Sequence, residues 1–250
     1  NETTVRHQLQ SLIDSSIESI AVCLLHADRH PAHEQLVGRV ARDVGFTEIS
    51  LSHVVAPLPK FVARADTTVV DAYLNPVLRD YVTRLQAALP GSSIRILTSA
   101  GGLVGAEHFC GKDSILSGPA GGVVGFSRVA RSAGFSQAIG FDMGGTSTDV
   151  SRFDGRFDLE YETQKAGVRL VAPSMAIETV ASGGGSICRF DGLKLTVGPA
   201  SAGAEPGPAC YGRGGPLTVT DVNLFLGHVV PERFPFALDL AATKHRLETL

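Results

Sequence analysis

The segment from Asp142 to Asp149, which reads DMGGTSTD, combines residue types that could bind a phosphate group. Adjacent glycines allow a tight turn whose backbone N–H groups can face an anion. The two aspartates flank the turn, and their charges would repel a phosphate unless a divalent cation such as Mg²⁺ lay between them. The pattern predicts a hairpin that holds the β- and γ-phosphates of ATP. Both aspartates would bind Mg²⁺ and position the attacking water. The residues predicted to contact phosphate are Gly144, Gly145, Thr146, Ser147 and Thr148.

The same spacing would also suit an ordinary β-hairpin with a Gly-Gly turn. Three successive hydroxyl residues and the paired aspartates favour the phosphate interpretation. A Walker A loop is excluded, because no Gly-Lys-Ser/Thr sequence follows the glycines.

Two other glycine segments could approach a nucleotide. The residues predicted to line the nucleotide cleft are Gly183, Gly184, Gly185 and Ser186, although a triple glycine can equally form a flexible turn. Gly118 to Gly125 reads GPAGGVVG and lacks the G-x-G-x-x-G order. A helix N-terminus that binds phosphate, or close packing, is the better interpretation of that segment.

Several isolated polar residues each have two possible roles. His26, His30 and His33 could bind a metal ion, but Pro31 interrupts them in a stretch where polar loop residues are expected. Glu178 and Asp221 could serve a metal or substrate, or could be solvated or helix-capping acids. Cys210 could be a nucleophile, but no base lies near it in sequence, so a buried thiol is favoured. These alternatives stay open at the level of sequence.

Composition excludes several classes of protein. The 250 residues are 44% hydrophobic with a net charge of −3, which allows a sizeable core and gives no basic run for nucleic acid. The longest apolar run, Ile20 to Leu25, is too short to cross a bilayer, and no signal peptide is visible. Four widely spaced cysteines form no Cys-x-x-Cys pair, so we expect reduced thiols and a cytoplasmic location.

Apolar periodicity predicts alternating strands and helices, which indicates an α/β fold. We expect a break or kink at Pro76, and an Asp154-Gly155 turn within a three-stranded meander. The predicted strands are 20–25, 46–55, 94–99, 138–142, 148–153 and 157–163, and the predicted helices are 31–44, 67–89 and one that ends at 133.

Four stretches carry a resemblance to a known family. The chain resembles the hydantoinase A / 5-oxoprolinase family over nearly its whole length, including a long and highly specific motif. The matching stretches are LSGPAGGVVG (116–125), GFDMGGTSTDVS (140–151), TVASGGGSI (179–187) and VGPASAGAEPGPACYGRGGPLTVTDVNLFLG (197–227). In addition, AVCLLHADRHPAHE (21–34) resembles the end of the family's N-terminal region.

The resemblance implies an actin-like, sugar-kinase-like ATPase fold in which two RNase H-like domains with mixed sheets surround a nucleotide cleft. Residues 1–66 would complete the first domain, and residues 67–250 would form most of the second. Members hydrolyse 5-oxoproline or a hydantoin with cleavage of ATP, by phosphorylating the amide oxygen. The hairpin at Asp142 would be the family's second phosphate hairpin.

The family's first phosphate hairpin and its partner region do not match any part of this sequence. We therefore expect a fragment that holds half of an ATP site, is inactive alone, and works with a hydantoinase B-type subunit or fused domain in an oligomer. Histidine or asparagine often replaces Glu178 in the family, which puts a metal role for it in doubt. The alternatives are a subunit of an ATP-dependent ketone carboxylase and a non-catalytic ATP-binding module.

Overall fold

A computed structural model describes residues 1–165 and 167–250, which form two compact units. Unit 1 comprises Asn1–Phe135 and Asp154–Ala176, and unit 2 comprises Ser136–Phe153 and Ile177–Leu250. Both units contain helices and strands, so the predicted α/β class is confirmed. These two units are defined by contacts between residues. The predicted division into two RNase H-like domains, between residues 66 and 67, stays a prediction.

The elements follow one another in a mixed order. The helices are α1 (Glu2–Asp14), α2 (Ala32–Val44), α3 (Ser52–Val55), α4 (Phe61–Ala88), α5 (Gly111–Ser114), α6 (Ser117–Ser132), α7 (Val219–Phe225) and α8 (Leu240–Glu248). The strands are β1 (Ser19–Val22), β2 (Glu48–Leu51), β3 (Arg95–Leu97), β4 (Leu103–Gly105), β5 (Ala138–Met143), β6 (Thr148–Phe153), β7 (Leu159–Glu160), β8 (Thr163–Lys165), β9 (Val168–Leu170), β10 (Ser174–Met175), β11 (Ile177–Val180), β12 (Ser186–Phe190) and β13 (Leu195–Ser201). Short 3₁₀ turns lie at Ala106–His108, Ala209–Tyr211 and Pro231–Arg233.

The N-terminal part of unit 1 is a small α/β layer. Strands β1 and β2 pair in parallel, and α2 connects them as the crossover helix. Helix α2 ends at Val44 and is capped by Gly45, whose φ of +115° is the left-handed conformation that favours glycine. The buried apolar residues of this layer are Leu9, Ile20, Val22, Val40, Ala41 and Phe46.

Helix α4 begins at Phe61 rather than at residue 67, and it continues through Pro76. The start and the alternative of a break at Pro76 were therefore predicted wrongly, and the alternative of a kink stays a prediction. The earlier start follows from tertiary contacts: Arg64 is only 1% exposed, and its guanidinium donates to Asp28 Oδ1 at 2.9 Å and to the Leu24 carbonyl oxygen at 2.6 Å. An arginine drawn inward by partners distant in sequence leaves no periodic signal.

Two strand predictions were wrong in part. The second half of the strand predicted at 46–55 is helix α3, so only β2 remains extended there. The predicted meander is also wrong in its third strand. Within 157–163, β7 covers Leu159–Glu160 and pairs with β10, whereas the second neighbour of β6 is β11. Gly155 has the positive φ expected of the predicted turn, but the chain then enters unit 1.

Unit 2 is built on an antiparallel sheet in the order β11–β6–β5. Strand β6 coincides with its prediction, and β5 extends one residue further, to Met143. A second pair, β12 and β13, carries an irregularity between Ser186 and Cys188. Helices α7 and α8 pack on each other and on the turn at Ala209–Tyr211. Among the described residues, none of the helices has the length and apolarity needed to cross a membrane.

Candidate phosphate and nucleotide site

The register of the unit 2 sheet brings the two predicted carboxylates together. Asp142 on β5 lies directly opposite Asp149 on β6, and Asp149 lies opposite Thr179 on β11. Residues that are paired across strands share one face of a sheet. Asp149 Oδ1 accepts a hydrogen bond from Thr179 Oγ1 at 2.8 Å, which holds this carboxylate in place.

The turn between these strands exposes backbone donors. The Gly144 N–H donates to the Ser147 carbonyl oxygen at 2.9 Å, closing the hairpin. The N–H groups of Gly145, Thr146 and Ser147 have no acceptor among the described residues. Successive free N–H groups at a turn form a concave site for an anion.

The second predicted glycine segment lies against this turn. Gly184 N–H donates to the Gly144 carbonyl oxygen at 2.9 Å, and Gly185 N–H donates to the Gly145 carbonyl oxygen at 2.7 Å. A Cβ at Gly183 would lie 2.6 Å from the Thr146 backbone nitrogen. The glycines are therefore needed for a close backbone approach to the phosphate turn, within a turn of their own in which the Ser186 N–H donates to the Gly183 carbonyl oxygen at 3.0 Å. Their role in lining a nucleotide cleft stays a prediction.

Two of the predicted site residues use their hydroxyls inside the protein. Thr148 is buried and donates to the Ser182 carbonyl oxygen at 2.5 Å. Ser186 is fully buried, and its Oγ accepts from the Gly183 N–H at 2.8 Å. Both hydroxyls fix the two glycine segments. A direct contact of Thr148 with phosphate and a place for Ser186 in the nucleotide cleft stay predictions.

A cavity of about 390 Å³ opens beside the turn, within the range that small-molecule sites occupy. From the stretch 198–216, the sequence pointed only to Cys210, which does not line this cavity. The signal that could have pointed further is the Tyr211 ring, an aromatic residue amid glycines and prolines. The cavity is lined by Gly145, Thr146, Gly185, Gly203, Ala204, Pro208, Tyr211 and Thr220.

Asp221 is a structural acid rather than a ligand-facing one. It is fully buried at the start of α7 and forms a capping box with Thr218. Its carboxylate also accepts from the backbone N–H groups of Ala209 at 3.0 Å and Cys210 at 2.7 Å. The helix-capping interpretation of Asp221 is confirmed.

Cys210 is a buried thiol, as sequence reasoning favoured. It is 0% exposed, and burial, reinforced by the neighbouring Asp221 carboxylate, raises its pKa to about 12. The thiolate is the nucleophilic form, so this cysteine is unsuited to nucleophilic catalysis at neutral pH.

Neither Glu178 nor the histidines form a metal-binding group with two further ligating side chains in the described part of the chain. Glu178 lies opposite Val150 on β6, and Val150 lies opposite Phe141 on β5. This row belongs to the other face of the sheet from Asp142. Across residues 1–165 and 167–250, no three His, Cys, Asp or Glu side chains are grouped so that they could hold a metal ion.

The chemistry of the carboxylate pair nevertheless fits Mg²⁺. Like charges directly opposite each other on two strands are destabilising, and a divalent cation between Asp142 and Asp149 would remove that repulsion. Mg²⁺ prefers oxygen ligands, and in nucleotide sites one or two carboxylates, substrate phosphates and several waters complete its shell. A third protein ligand is therefore not required.

The sequence model of the family described as Hydantoinase/oxoprolinase matches residues 64–249. The model described as Hydantoinase/oxoprolinase N-terminal region matches residues 1–45. The chain is 49% identical to the 5-oxoprolinase of Saccharomyces cerevisiae over 240 residues, which are 94% of the chain and 19% of the yeast protein. The chain thus spans about a fifth of that relative.

Two solved structures are similar over the whole chain. The ATP-dependent caprolactamase from Pseudomonas jessenii is 31% identical, with a TM-score of 0.81 over 99% of this chain and 38% of that one. A nucleotide-free acetone carboxylase is 25% identical, with a TM-score of 0.76 over 100% of this chain and 37% of that one. Both likenesses support the actin-like ATPase fold expected from the sequence.

Proposed function

Because the chain belongs to the hydantoinase/oxoprolinase family, we propose that it is part of an ATP-dependent enzyme that hydrolyses the amide bond of a small ring. ATP would be cleaved to ADP and phosphate, and the substrate would be 5-oxoproline or a hydantoin. The names of two relatives, 5-oxoprolinase and caprolactamase, both denote enzymes of cyclic amides. The activity belongs to the whole protein, of which this chain supplies one region.

The observation that carries the proposal is the junction of the two glycine segments. Hydrogen bonds from Gly184 and Gly185 hold the carbonyl groups of Gly144 and Gly145 at 2.9 and 2.7 Å. With its carbonyl groups engaged on one side, the turn keeps a fixed shape, and its free N–H groups can receive phosphate oxygens. Donors fixed in advance cost little reorganisation when charge develops on a transferred phosphoryl group.

The carboxylates would act beside the phosphates. Asp142 and Asp149 would hold Mg²⁺, which when bound neutralises charge on the β- and γ-phosphates. Thr179 fixes the orientation of Asp149 through its 2.8 Å hydrogen bond. Asp142 has an exposed side chain and is the carboxylate better placed to orient water. Phosphorylation of the amide oxygen would then make the ring carbon a better target for water.

The test is the variant Asp142→Ala in the full-length enzyme, which we expect to abolish ATP turnover. Asp142→Asn should do the same while raising the melting temperature of the metal-free protein, because it removes one of two opposed charges. Glu178→Gln is the matched control, since Glu178 lies on the same sheet but on its other face, and it should retain activity. Near-normal ATPase activity in Asp142→Ala would refute the site.

A ketone carboxylase subunit is the second candidate, and the likeness to acetone carboxylase favours it. ATP consumption that depends on bicarbonate and a ketone would select it. The higher identity to the yeast 5-oxoprolinase, 49% against 25%, favours the amide hydrolase.

The remaining parts of the proposal concern the partner, the oligomer and the cellular location of the enzyme. The related protein from Pseudomonas jessenii is named caprolactamase subunit alpha, which supports a hydantoinase B-type partner, separate or fused, in an oligomer. The four cysteines are free, in keeping with a cytoplasmic location.

A further inference from the structure

The cavity of unit 2 is lined by residues of two chemical kinds. Gly145 and Thr146 belong to the phosphate turn, and Thr220 adds a hydroxyl. Pro208 and Tyr211 contribute apolar surface to the same cavity. A ligand that fills it should therefore combine an anionic part with a flat, weakly polar part.

Tyr211 is held firmly. Its ring contacts Phe236 edge to face, with centroids 5.0 Å apart, and Phe234 at 6.0 Å. Gly207 packs so closely that a Cβ there would lie 2.5 Å from Tyr211 Cδ2. An aromatic ring fixed in this way can bind a flat ligand with little loss of side-chain entropy.

A series of hydrogen bonds connects the turn that carries Tyr211 to the phosphate turn. Asp221 accepts from the Cys210 N–H at 2.7 Å, which holds the turn that carries Tyr211. Thr220, beside Asp221 on α7, donates its hydroxyl to the Gly184 carbonyl oxygen at 2.8 Å. Gly184 in turn binds the phosphate turn at Gly144. The distance between ring and turn is thereby fixed by a short series of hydrogen bonds.

The lining distinguishes between possible ligands. All the lining residues are described, and none of them is charged. The nearby Arg213 pairs with Glu205 at 2.7 Å instead. A ring substrate that carries a carboxylate, such as 5-oxoproline, would have to place that carboxylate on the turn that the proposed function assigns to the phosphates of ATP. A nucleoside is neutral, and its flat base can stack on an aromatic side chain.

We propose that Tyr211 binds the nucleoside of ATP in this cavity, with Pro208 and Ala204 completing the apolar wall and the triphosphate extending to the turn at Gly145. This inference rests on the proposed function, because it requires ATP at that turn. It adds a residue that determines nucleotide recognition and assigns the cavity to ATP rather than to the ring substrate.

The experiment compares Mg²⁺-bound ATP with Mg²⁺-bound inorganic tripolyphosphate, which lacks the nucleoside, in the full-length protein. Calorimetry should show that Tyr211→Ala weakens ATP binding about tenfold, in the range that loss of one base–aromatic stack produces. Tripolyphosphate binding should be unchanged, and Tyr211→Phe should bind ATP like the wild type. Tyr161→Ala, which removes an exposed tyrosine of unit 1, is the control.

The outcomes separate this inference from the proposed function. If Tyr211→Ala weakened both ligands equally, or neither, the role of Tyr211 would be refuted while the phosphate site stood. If the wild type bound neither ligand, the ATP site itself would fail, and this inference with it. If Tyr211→Ala does not fold, photolabelling of the wild-type protein with 8-azido-ATP tests the role of Tyr211 instead. Photolabel in the tryptic peptide 195–213 supports the inference, and label elsewhere overturns it.

Discussion

Gly183 approaches the backbone nitrogen of Thr146 so closely that a Cβ at position 183 would lie 2.6 Å from it. Two further backbone atoms, the Gly144 oxygen and the Gly145 carbon, would each lie 2.7 Å away. Backbone atoms cannot move aside as the end of a flexible side chain can. A side chain at position 183 must therefore displace the phosphate turn, so this glycine is a requirement of the site.

We expect Gly183→Ala to displace the turn and to abolish ATP hydrolysis by the full-length enzyme. Overpacking of this kind costs roughly 1–3 kcal/mol of folding free energy, so the protein should still fold. The measurements are steady-state ATPase activity and thermal denaturation. Tripolyphosphate binding should fall together with ATP binding, because the damage is at the phosphate turn.

Gly125→Ala is the matched control for this substitution. Gly125 lies inside α6, where a Cβ would meet nothing within 4 Å. Alanine is favoured over glycine in a helix interior by about 1 kcal/mol, so this variant should be as stable as the wild type or more so, and fully active. Equal ATPase losses in both variants would show that the contact with Thr146 is not the cause.

The sequence predicted those parts of the site whose residues are close together along the chain, and it did not predict the parts that depend on distant residues. The hairpin at Asp142 is local: its glycines, hydroxyls and flanking acids are close in sequence, and β6 was predicted to the residue. The placement of β11 beside β6 joins residues about thirty positions apart, and no periodic pattern encodes that choice. A local pattern therefore found the turn, whereas tertiary packing supplied its support.

The cavity and the buried polar groups could not be predicted from the sequence. Tyr211 lines the cavity because Asp221 and the neighbouring phenylalanines position its turn. Likewise, Arg64 is buried because Asp28 and the Leu24 carbonyl group accept hydrogen bonds from its guanidinium. Each case depends on a partner that only the folded chain brings close.

Asp221 is predicted to be a positioning residue for the cavity. Its carboxylate accepts hydrogen bonds from Ala209, Cys210, Thr218 and Thr243 at 2.7–3.1 Å. Removing it leaves buried donors unsatisfied, so Asp221→Ala should cost about 3 kcal/mol of stability. Because the Tyr211 turn loses its anchor, ATP binding should weaken more than tripolyphosphate binding. Urea denaturation and calorimetry measure the two effects.

Asp191→Ala is the control for the loss of a turn-capping aspartate. Asp191 Oδ1 accepts from the N–H groups of Leu193 and Lys194, each at 2.9 Å, but it is exposed. Water can replace it, so the loss of stability should be much smaller than for Asp221→Ala, and both ligands should bind normally. If Asp221→Ala left ATP and tripolyphosphate affinities in their wild-type ratio, a purely structural role would be the correct one.

Glu34 is predicted to give unit 1 part of its acid sensitivity. It is fully buried and accepts from Leu24 N–H at 2.8 Å, Ser52 Oγ at 2.6 Å and His53 N–H at 3.0 Å, with His53 Nδ1 at 2.7 Å. Burial alone would raise the pKa of Glu34, but these four hydrogen bonds together lower it below the usual value.

A carboxylate whose pKa is lower in the folded state stabilises the protein above its unfolded-state pKa, and this contribution is lost as pH falls through the folded-state pKa. The wild type should therefore lose stability as the pH drops below about 4.3, the ordinary glutamate value. Glu34→Gln should be less stable at neutral pH, because its amide group cannot accept all four hydrogen bonds. Its stability should also vary less with pH below that point. Urea denaturation from neutral to acidic pH measures both quantities.

Glu2→Gln tests whether this effect belongs to burial. Glu2 pairs with Arg6 at 3.4 Å on the surface of α1, with more than half of its side chain exposed. Exposed pairs contribute little to stability, so this variant should follow the wild-type pH profile. If Glu34→Gln and the wild type lost stability in parallel through the acid range, Glu34 would not be the group whose protonation matters. The acid sensitivity would then lie with other carboxylates.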